Sequence, residues 1–342
     1  MKIIKSSKTK TFIVFLIMIV VFYLIIKDDY MNIIETLQKA NHWLILLAVV
    51  LIFVYYYLKA KCIYVIAKEQ NKNITFKSMF NQTLITQFFN GITPFSTGGQ
   101  PMQVYMLRKN GLPVGQATSI IIQDFLMFQL ALVTIGIVAL ILNKIFGIIN
   151  ISIALYSLII LGFVINTVVG LCLIFISFSK RFNTFAGKLL IRIASKFKIV
   201  KDKDKTIEKL EEKLEEFHDS AKIFKKRRGL FTRCYLYNLL ALFIFYAIPF
   251  VIFISLDPNC PITIGKSITS SAFVLLVGNF VPIPGGSGGI EFSFSTIFGG
   301  LLNNTTLVST ALLTWRVITY YLGVLIGGIA LTFFKGSEKK WE

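Results

Sequence analysis

Three ionisable residues, Asp124, Glu291 and Arg316, stand inside long apolar stretches of the sequence. A charged side chain within a membrane or protein core is energetically expensive, so such residues mark candidate functional sites. Arg316 offers a planar fork of donors that suits either a lipid phosphate or an ion pair with Glu291. Glu291 suits either the first turn of a helix or a cationic substrate. Asp124 suits a proton or cation site, or a hydrogen bond to a neighbouring segment.

Two glycine- and proline-rich clusters lie in the same stretches. Residues 90–101 read NGITPFSTGGQP, and residues 279–291 read NFVPIPGGSGGIE. Successive backbone amides in such turns can cradle an anion, although the lysine and Ser/Thr of a P-loop are missing. The candidate substrate-binding residues in these clusters are Asn90, Gly98, Gly99, Asn279, Gly285, Gly286, Gly288 and Gly289.

The sequence lacks the motifs of the common hydrolases and metal sites. Neither G-x-S-x-G nor H-E-x-x-H occurs, and the four cysteines show no C-x-x-C spacing. The two histidines, His42 and His218, are isolated, and we interpret them as boundary or surface residues. We therefore expect no catalytic residue, no metal and no cofactor.

The composition points to a membrane protein, since 55% of the residues are hydrophobic and 15% are charged, whereas soluble domains carry about 25% charged residues. A spanning helix needs roughly 20 apolar residues. The first apolar block follows a basic start and has no small-residue cleavage site, as in an uncleaved signal anchor. We predict an all-α polytopic protein with about six transmembrane helices, at Phe12–Ile26, Trp43–Leu58, Gln116–Leu142, Ile148–Phe178, Phe231–Leu256 and Leu307–Phe334.

The basic residues indicate the orientation. Cytoplasmic loops are enriched in Lys and Arg, and an inside N-terminus places 31 of the 36 Lys and Arg residues on the cytoplasmic side or at its boundary. The termini, 1–11 and 335–342, are then both cytoplasmic, and we expect a multi-pass protein of a bacterial cell membrane. Although the net charge is +19, we expect no nucleic-acid partner because the basic residues cluster at membrane boundaries.

The longest predicted water-exposed segment is a cytoplasmic insertion, residues 179–230. One apolar stripe runs along an otherwise charged helix within it. We interpret this helix as packed on the membrane surface or on a partner helix, with residues 225–228 (KKRR) near anionic lipid; a regulatory coiled coil is the alternative. The stripe consists of Ile207, Leu210, Leu214, Phe217, Ala221 and Phe224.

Two segments, about 81–106 and 268–300, are predicted to be re-entrant hairpins. Their prolines and glycines interrupt a helix, and irregular backbone at membrane depth must be buried in protein or line a cavity. The pattern P-x-x-x-G-G occurs in both. The chain therefore divides into repeats 12–142 and 148–334, and three crossings in each would invert the second. Such paired segments point to a transporter's binding site; chance similarity is the alternative.

Residues 282–291, PIPGGSGGIE, followed by Arg316-x-x-x-Tyr320, resemble the lysylphosphatidylglycerol synthase transmembrane (flippase-like) family, over about residues 12 to 334. The resemblance implies that the chain handles a lipid with a charged head group and adds Tyr320 to the candidate site. In the first hairpin, Gly99-Gln100 replaces the family's Gly-Glu. In the span after it, Gln123-Asp124 stands where a Glu-Arg pair is common in the family. An acidic site in the first half is therefore not carried over.

The family's soluble lysyltransferase domain is expected to be absent, because the chain ends eight residues beyond the last predicted span. The leading hypothesis is a translocase for a phospholipid or polyprenyl-phosphate lipid, with lysylphosphatidylglycerol as one candidate. The alternatives are a component of a phosphatidylglycerol lysyltransferase, working with a separate catalytic chain, and a membrane scaffold without transport activity.

Overall fold

The computed structural model describes residues 30–149, 152–184, 203–278, 281 and 283–334. These residues form helices and connecting turns without a β-strand, which confirms the all-α class. Several expectations fall outside the described residues: the span at 12–26, both terminal segments, Asn279 and residues 185–202 of the insertion.

The helices are named α1 to α12 along the described chain. Two short 3-10 turns, Pro94–Ser96 and Pro284–Gly286, and a π-helical stretch, Val317–Tyr321, connect some of them. The α-helices are α1 (Tyr30–Lys39), α2 (His42–Gln70), α3 (Phe76–Ile92), α4 (Gly99–Lys109), α5 (Val114–Phe146), α6 (Ile153–Phe178), α7 (Lys203–Lys226), α8 (Arg228–Leu256), α9 (Ile264–Gly278), α10 (Gly289–Leu302), α11 (Thr305–Arg316) and α12 (Leu322–Thr332).

Five helices are long and apolar enough to cross a membrane: α2, α5, α6, α8 and the combined Thr305–Thr332. They coincide with the five predicted spans that the structure describes. One boundary was wrong, because α2 continues beyond Leu58 to Gln70. Apolar residues that follow Lys59 in the sequence, such as Ile63 and Ile66, are buried, and their packing stabilises the continued helix. Lys59 therefore lies within the helix bundle and not in a cytoplasmic loop.

Side-chain caps explain where several of these helices begin. An exposed oxygen at the residue before a helix accepts from an amide of its first turn. Asn41 accepts from the backbone of Trp43 at the start of α2, at 3.1 Å. Ser152 and Asn304 act in the same way at α6 and α11. Polar residues between apolar blocks thus set the helix starts.

Two helical hairpins lie within the bundle. Hairpin 1 (residues 76–109) consists of α3, the turn Pro94–Ser96 and α4, while hairpin 2 (residues 264–302) consists of α9, the turn Pro284–Gly286 and α10. The two helices of each hairpin pack against each other, and the two turns contact each other. The tips of the two hairpins therefore contact each other; Gly285 and Gly286 are buried there, whereas Phe95 is 52% exposed.

The long helices hold the hairpins in place. Among the described helices, α2 and α8 make the most extensive contact with each other. Helix α12 packs on α3 of hairpin 1. Helices α5, α6 and α8 pack on α9 of hairpin 2. Within hairpin 2 the rings of Phe294 and Phe298 of α10 lie 4.4 Å apart, and Phe294 stacks on Trp315 of α11 at 5.3 Å. Such aromatic contacts add to the energy of burial, so hairpin 2 rests on a well-packed base.

Helix α7 packs on helices of its own chain, mainly α5. Its stripe residues Phe217, Ala221 and Phe224 are buried, and the Glu216 carboxylate accepts from the Gly115 amide in the first turn of α5, at 3.0 Å. The partner-helix interpretation therefore fits this part of the insertion. The expectation that His218 is a surface residue was wrong: as its neighbours dock, the imidazole is buried with them, 5% exposed.

Candidate functional site

In hairpin 2, Arg316 binds the turn and the start of α10 together. Its Nε donates to Oε1 of Glu291 at 2.7 Å, and Nη1 and Nη2 both donate to the Gly285 carbonyl at 3.1 Å. Nη2 also donates to Ser287 Oγ at 3.3 Å. The second Glu291 oxygen accepts from the Gly288 amide at 2.6 Å. Each of these residues had two expected roles. For Arg316 the structure shows the ion pair with Glu291, and for Glu291 it shows a carboxylate in the first turn of a helix.

Glycine is needed in this turn for two reasons. Gly285, Gly286 and Gly288 have φ of 65°, 64° and 86°, a left-handed region that other residues enter at a cost. A Cβ on Gly285 would also overlap the ring of Tyr320. The hydroxyl of that ring donates to the Gly91 carbonyl in hairpin 1 at 2.9 Å. Tyr320 thus contacts both hairpins from the π-helical stretch.

The turn of hairpin 1 has the same backbone conformation as the turn of hairpin 2. Phe95 has φ 54° and ψ 13°, against 65° and 13° for Gly285. Ser96 has φ 53°, against 64° for Gly286. In both turns these two residues directly follow the proline of the P-x-x-x-G-G pattern. The shared pattern therefore corresponds to a shared structure, which supports an internal repeat.

A hydroxyl closes each turn in the same way. Thr97 Oγ1 donates to the Pro94 carbonyl at 3.1 Å, and Ser287 Oγ donates to the Pro284 carbonyl at 3.0 Å. The backbone amides of Thr97 and Ser287 donate to the same two carbonyls. The two residues share this hydrogen bond, but their backbones diverge, with ψ −10° at Thr97 and 141° at Ser287.

The next residues differ, since hairpin 1 uses neutral side chains where hairpin 2 uses a carboxylate. The Gly98 amide donates to Thr93 Oγ1 at 2.8 Å, and the Gly99 amide donates to Asn90 Oδ1 at 3.0 Å. Both acceptors come from the chain just before the turn. Asn90, predicted as a binding residue, therefore caps α4 with its side-chain oxygen.

These bonds bear on the expected phosphate cradle. The amides of Gly98 and Gly99 are engaged by side chains, and in hairpin 2 the amides of Gly286 and Gly288 donate to the Ile283 carbonyl and to Glu291. Four of the glycine amides proposed to bind an anion are thus satisfied within the protein. In this arrangement they stabilise the turns, and the polar groups open to a ligand lie elsewhere.

A second charged group lies between α2, α5 and α8. Lys59 Nζ lies 3.3 Å from Asp124 Oδ2 and donates to Asn238 Oδ1 at 2.7 Å. Asn238 in turn contacts Asp124 at 3.5 Å. Asp124 therefore pairs with long helices, and its described bonds do not reach hairpin 1. We missed Lys59 because it directly follows the predicted span; the apolar residues that continue after it were the available signal.

Two cavities that share several lining residues lie beside the tip of hairpin 1. The larger, about 460 Å³, lies beside Lys59 and Asp124, and the smaller, about 210 Å³, lies beside Arg316 and Tyr320. Both are lined by residues of α2, hairpin 1 and α5, namely Tyr55, Gln87, Asn90, Phe95, Ser96 and Phe128. Both cavities therefore border the turn of hairpin 1, and the smaller one also borders the turn of hairpin 2.

The larger cavity extends to the outer surface of α6. Ile165 and Val169 line it, and Ile165 is 36% exposed. The adjacent residues Val164 and Val168 are also exposed on this apolar helix. A polar group can therefore occupy the cavity while apolar chains attached to it remain outside α6. No cluster of three metal-ligating side chains occurs in the part of the chain that the structure describes.

Membrane-length helices, two interrupted hairpins and a polar interior together define a polytopic membrane protein with ligand-sized cavities. A family model described as the lysylphosphatidylglycerol synthase TM region matches residues 11–327. The chain therefore belongs to this family, as its PIPGGSGGIE motif predicted.

Two relatives match over most of their length. A UPF0104 membrane protein of Archaeoglobus fulgidus is 25% identical over 303 residues, which cover 87% of this chain and 89% of that protein. An uncharacterized MG306 homolog of Mycoplasma pneumoniae is 25% identical over 348 residues, covering 92% of this chain and 85% of that protein. Neither name states an activity.

Proposed function

We propose that this protein is a lipid translocase, which moves a lipid with a polar head group between the leaflets of a bacterial cell membrane. The observation that carries the proposal is the contact between the two turns, with polar cavities beside it. Paired interrupted segments whose tips meet near the bilayer midplane are typical of transporter binding sites.

The arrangement of the hairpins supports a path across the membrane. Irregular backbone is tolerated at membrane depth where it is buried or lines a cavity, and both turns satisfy that condition. If hairpin 1 enters from the cytoplasm and hairpin 2 from outside, the cavities connect the two sides at the tips. Alternating access would then move one repeat against the other.

The side opening at α6 favours a lipid over a water-soluble substrate. The head group would lie in the larger cavity, and its acyl chains would lie against the exposed apolar residues around Ile165. The charged head group expected from the sequence, with lysylphosphatidylglycerol as its candidate, is one of the lipids to test.

The proposal is tested by lipid movement in proteoliposomes that contain only this chain. Lipids labelled on one acyl chain would be compared: lysylphosphatidylglycerol, phosphatidylglycerol, a polyprenyl phosphate and a glycosyl diacylglycerol. We expect at least one lipid to cross faster than in empty liposomes. Its rate should fall at least about tenfold when Lys59→Met and Asp124→Asn are combined, which removes the charge pair but keeps the cavity neutral.

Lys61→Met is the matched control, since Lys61 lies on the same helix and contacts aromatic rings outside the cavities. Absence of movement for every lipid, with the protein folded, would contradict the translocase. Lysyl transfer from lysyl-tRNA by the purified chain would instead support a transferase component. Full cellular function of the double variant would support a scaffold.

A further inference from the structure

Half of the residues that line the larger cavity have uncharged polar side chains, which lie among apolar and aromatic ones. A carboxamide both donates and accepts hydrogen bonds, whereas an ionised phosphate only accepts and an ammonium only donates. A hydroxyl does both, so a wall of carboxamides matches a ligand with many hydroxyls. The carboxamide residues are Gln87, Asn90, Gln100, Gln103, Gln129 and Asn166.

Two of these side chains lie in the first two turns of α4 and have unused hydrogen-bonding capacity. Gln100 Oε1 is buried without a hydrogen-bond partner among the described residues. Gln103, 7% exposed, forms no side-chain hydrogen bond within the described part of the chain. Their spacing of three residues puts them on one face of the helix. A buried polar group without a partner is costly, so a ligand that bonds to both would be favoured.

The cavity has no net charge. Lys59 and Asp124 are the only charged side chains among its described lining residues, and they pair with each other. A head group with a net charge would bring an unbalanced ion into this interior, which is unfavourable. Phosphatidylglycerol carries one negative charge and lysylphosphatidylglycerol one net positive charge. An electrically neutral head group brings no unbalanced charge, positive or negative, into the cavity.

Aromatic rings complete the lining. Phe125 and Phe128 lie nearly parallel, with centroids 6.5 Å apart at 16°, and Tyr55 and Phe95 also face the cavity. A sugar ring has an apolar face of C–H groups that packs on such rings, while its hydroxyls point to the carboxamides. The combination of rings and carboxamides therefore fits a sugar better than a small polar ion.

We infer that the larger cavity takes an electrically neutral, hydroxyl-rich head group, and that the lipid is a glycosyl diacylglycerol. This inference rests on the proposed translocase function and names its substrate class. Gln100 and Gln103 bond the sugar hydroxyls, the aromatic rings support the sugar face, and the acyl chains leave the cavity past Ile165.

The test measures binding and movement separately on the full chain. Binding is measured by native mass spectrometry in a detergent without a sugar head group, with diglucosyl diacylglycerol, phosphatidylglycerol and lysylphosphatidylglycerol of matched acyl chains. Movement is measured in proteoliposomes with the same lipids. We expect diglucosyl diacylglycerol to bind at least about tenfold more tightly and to cross at least about tenfold faster than the two charged lipids.

Three variants sharpen the test. Gln100→Met with Gln103→Met should lower both binding and movement of the glycolipid at least about tenfold. Gln82→Met should leave both unchanged, because Gln82 is a fully buried glutamine of α3 with unpaired polar atoms that lies outside the cavity lining. Gln103→Glu adds a negative charge and should shift the preference towards lysylphosphatidylglycerol.

The outcomes separate the two proposals. Preferred movement of a charged lipid, or indifference to the Gln100 and Gln103 changes, would overturn the sugar head group and leave the translocase standing. Glycolipid binding that depends on Gln103, without movement of any lipid, would overturn the translocase and keep the head-group assignment. Neither binding nor movement would overturn both.

Discussion

In hairpin 1, the turn is held by Asn90 and Thr93, neutral side chains from the preceding few residues. In hairpin 2, the equivalent region is held by Glu291, which is bound to Arg316 from a separate helix. The two residues that follow the proline have the same left-handed backbone in both hairpins. Local neutral bonds thus stabilise one tip, and a buried charged network stabilises the other.

This difference suggests a division of roles. Hairpin 2 is tied to α11 by the ion pair and rests on stacked aromatic rings, so we expect it to act as the rigid part of the bundle. Hairpin 1 borders the larger cavity and has weaker local bonds, so we expect it to move during lipid passage. The predictions below test this comparison, from the largest expected effect to the smallest.

Removal of Arg316 should affect stability most. Arg316→Ala would leave the Glu291 carboxylate buried without its partner and should cost about 3–5 kcal/mol in unfolding free energy. The corresponding loss in hairpin 1, Asn90→Ala, should cost about 1 kcal/mol, as for other helix caps. Unfolding of the purified variants, followed by tryptophan fluorescence, measures both. Equal losses would show that the two tips are held equally strongly.

Gly285→Ala should have the next largest effect. The residue would be forced into a left-handed conformation, at about 1–2 kcal/mol, and its methyl group would overlap the Tyr320 ring, at about 1–3 kcal/mol. Phe95→Ala at the equivalent position of hairpin 1 should cost less than 1 kcal/mol by the same principles, because a side chain is already accepted there. A smaller loss for Gly285→Ala in a Tyr320→Leu background would confirm the overlap.

Acidification should loosen the docking of α7, which packs mainly on α5, and leave hairpin 2 unaffected. Burial, and then the nearby Lys180 and Lys222, lower the pKa of His218 in α7. The undocked helix therefore binds protons more readily than the docked one, and docking weakens as the pH falls through about 6.5 and below. Hydrogen exchange in α7 should rise between pH 7.5 and 5.5, while exchange in α10 stays constant. His218→Phe should remove the difference; unchanged exchange in α7 would contradict the prediction.

Ser96→Gly should produce the smallest change, and in the stabilising direction. Relief of the left-handed conformation gains about 1–2 kcal/mol, which the greater freedom of glycine in the unfolded chain reduces by about 0.5–1 kcal/mol. Gly286→Ser in hairpin 2 should be destabilising, because Ile290 lies close to the position of the new Cβ. The unfolding temperature should therefore rise for Ser96→Gly and fall for Gly286→Ser. A shift in the same direction for both variants would contradict the equivalence of the two turns.

Much of this architecture could be predicted from periodicity and composition. Apolar blocks located five described spans, and the prolines and glycines located the breaks at Pro94 and Pro284. The start of α10 at Glu291 also followed from the preference for a carboxylate in a first helical turn. These features depend on properties of neighbouring residues, namely their hydrophobicity, their tendency to break a helix and their charge at a helix start, so a single sequence is enough to predict them.

The candidate site could be predicted only in part, because its contacts join distant parts of the chain. Glu291 and Arg316 were candidates, yet the choice between an ion pair and a phosphate site required their distance. Lys59 was not a candidate, because it directly follows the predicted span Trp43–Leu58. Glutamines such as Gln103 and Gln129 gave no signal, since uncharged polar residues in apolar helices have many structural roles.

The most direct test concerns the claim that the hairpins enter the membrane from opposite faces and meet at their tips. In a variant without the four native cysteines, single cysteines would replace exposed Lys72, before hairpin 1, or exposed Thr305, after hairpin 2. A membrane-impermeant thiol reagent would be added to intact cells. The account predicts that Thr305→Cys is labelled from outside and that Lys72→Cys is labelled only after permeabilisation. Labelling of both positions from the same side would contradict the inverted arrangement.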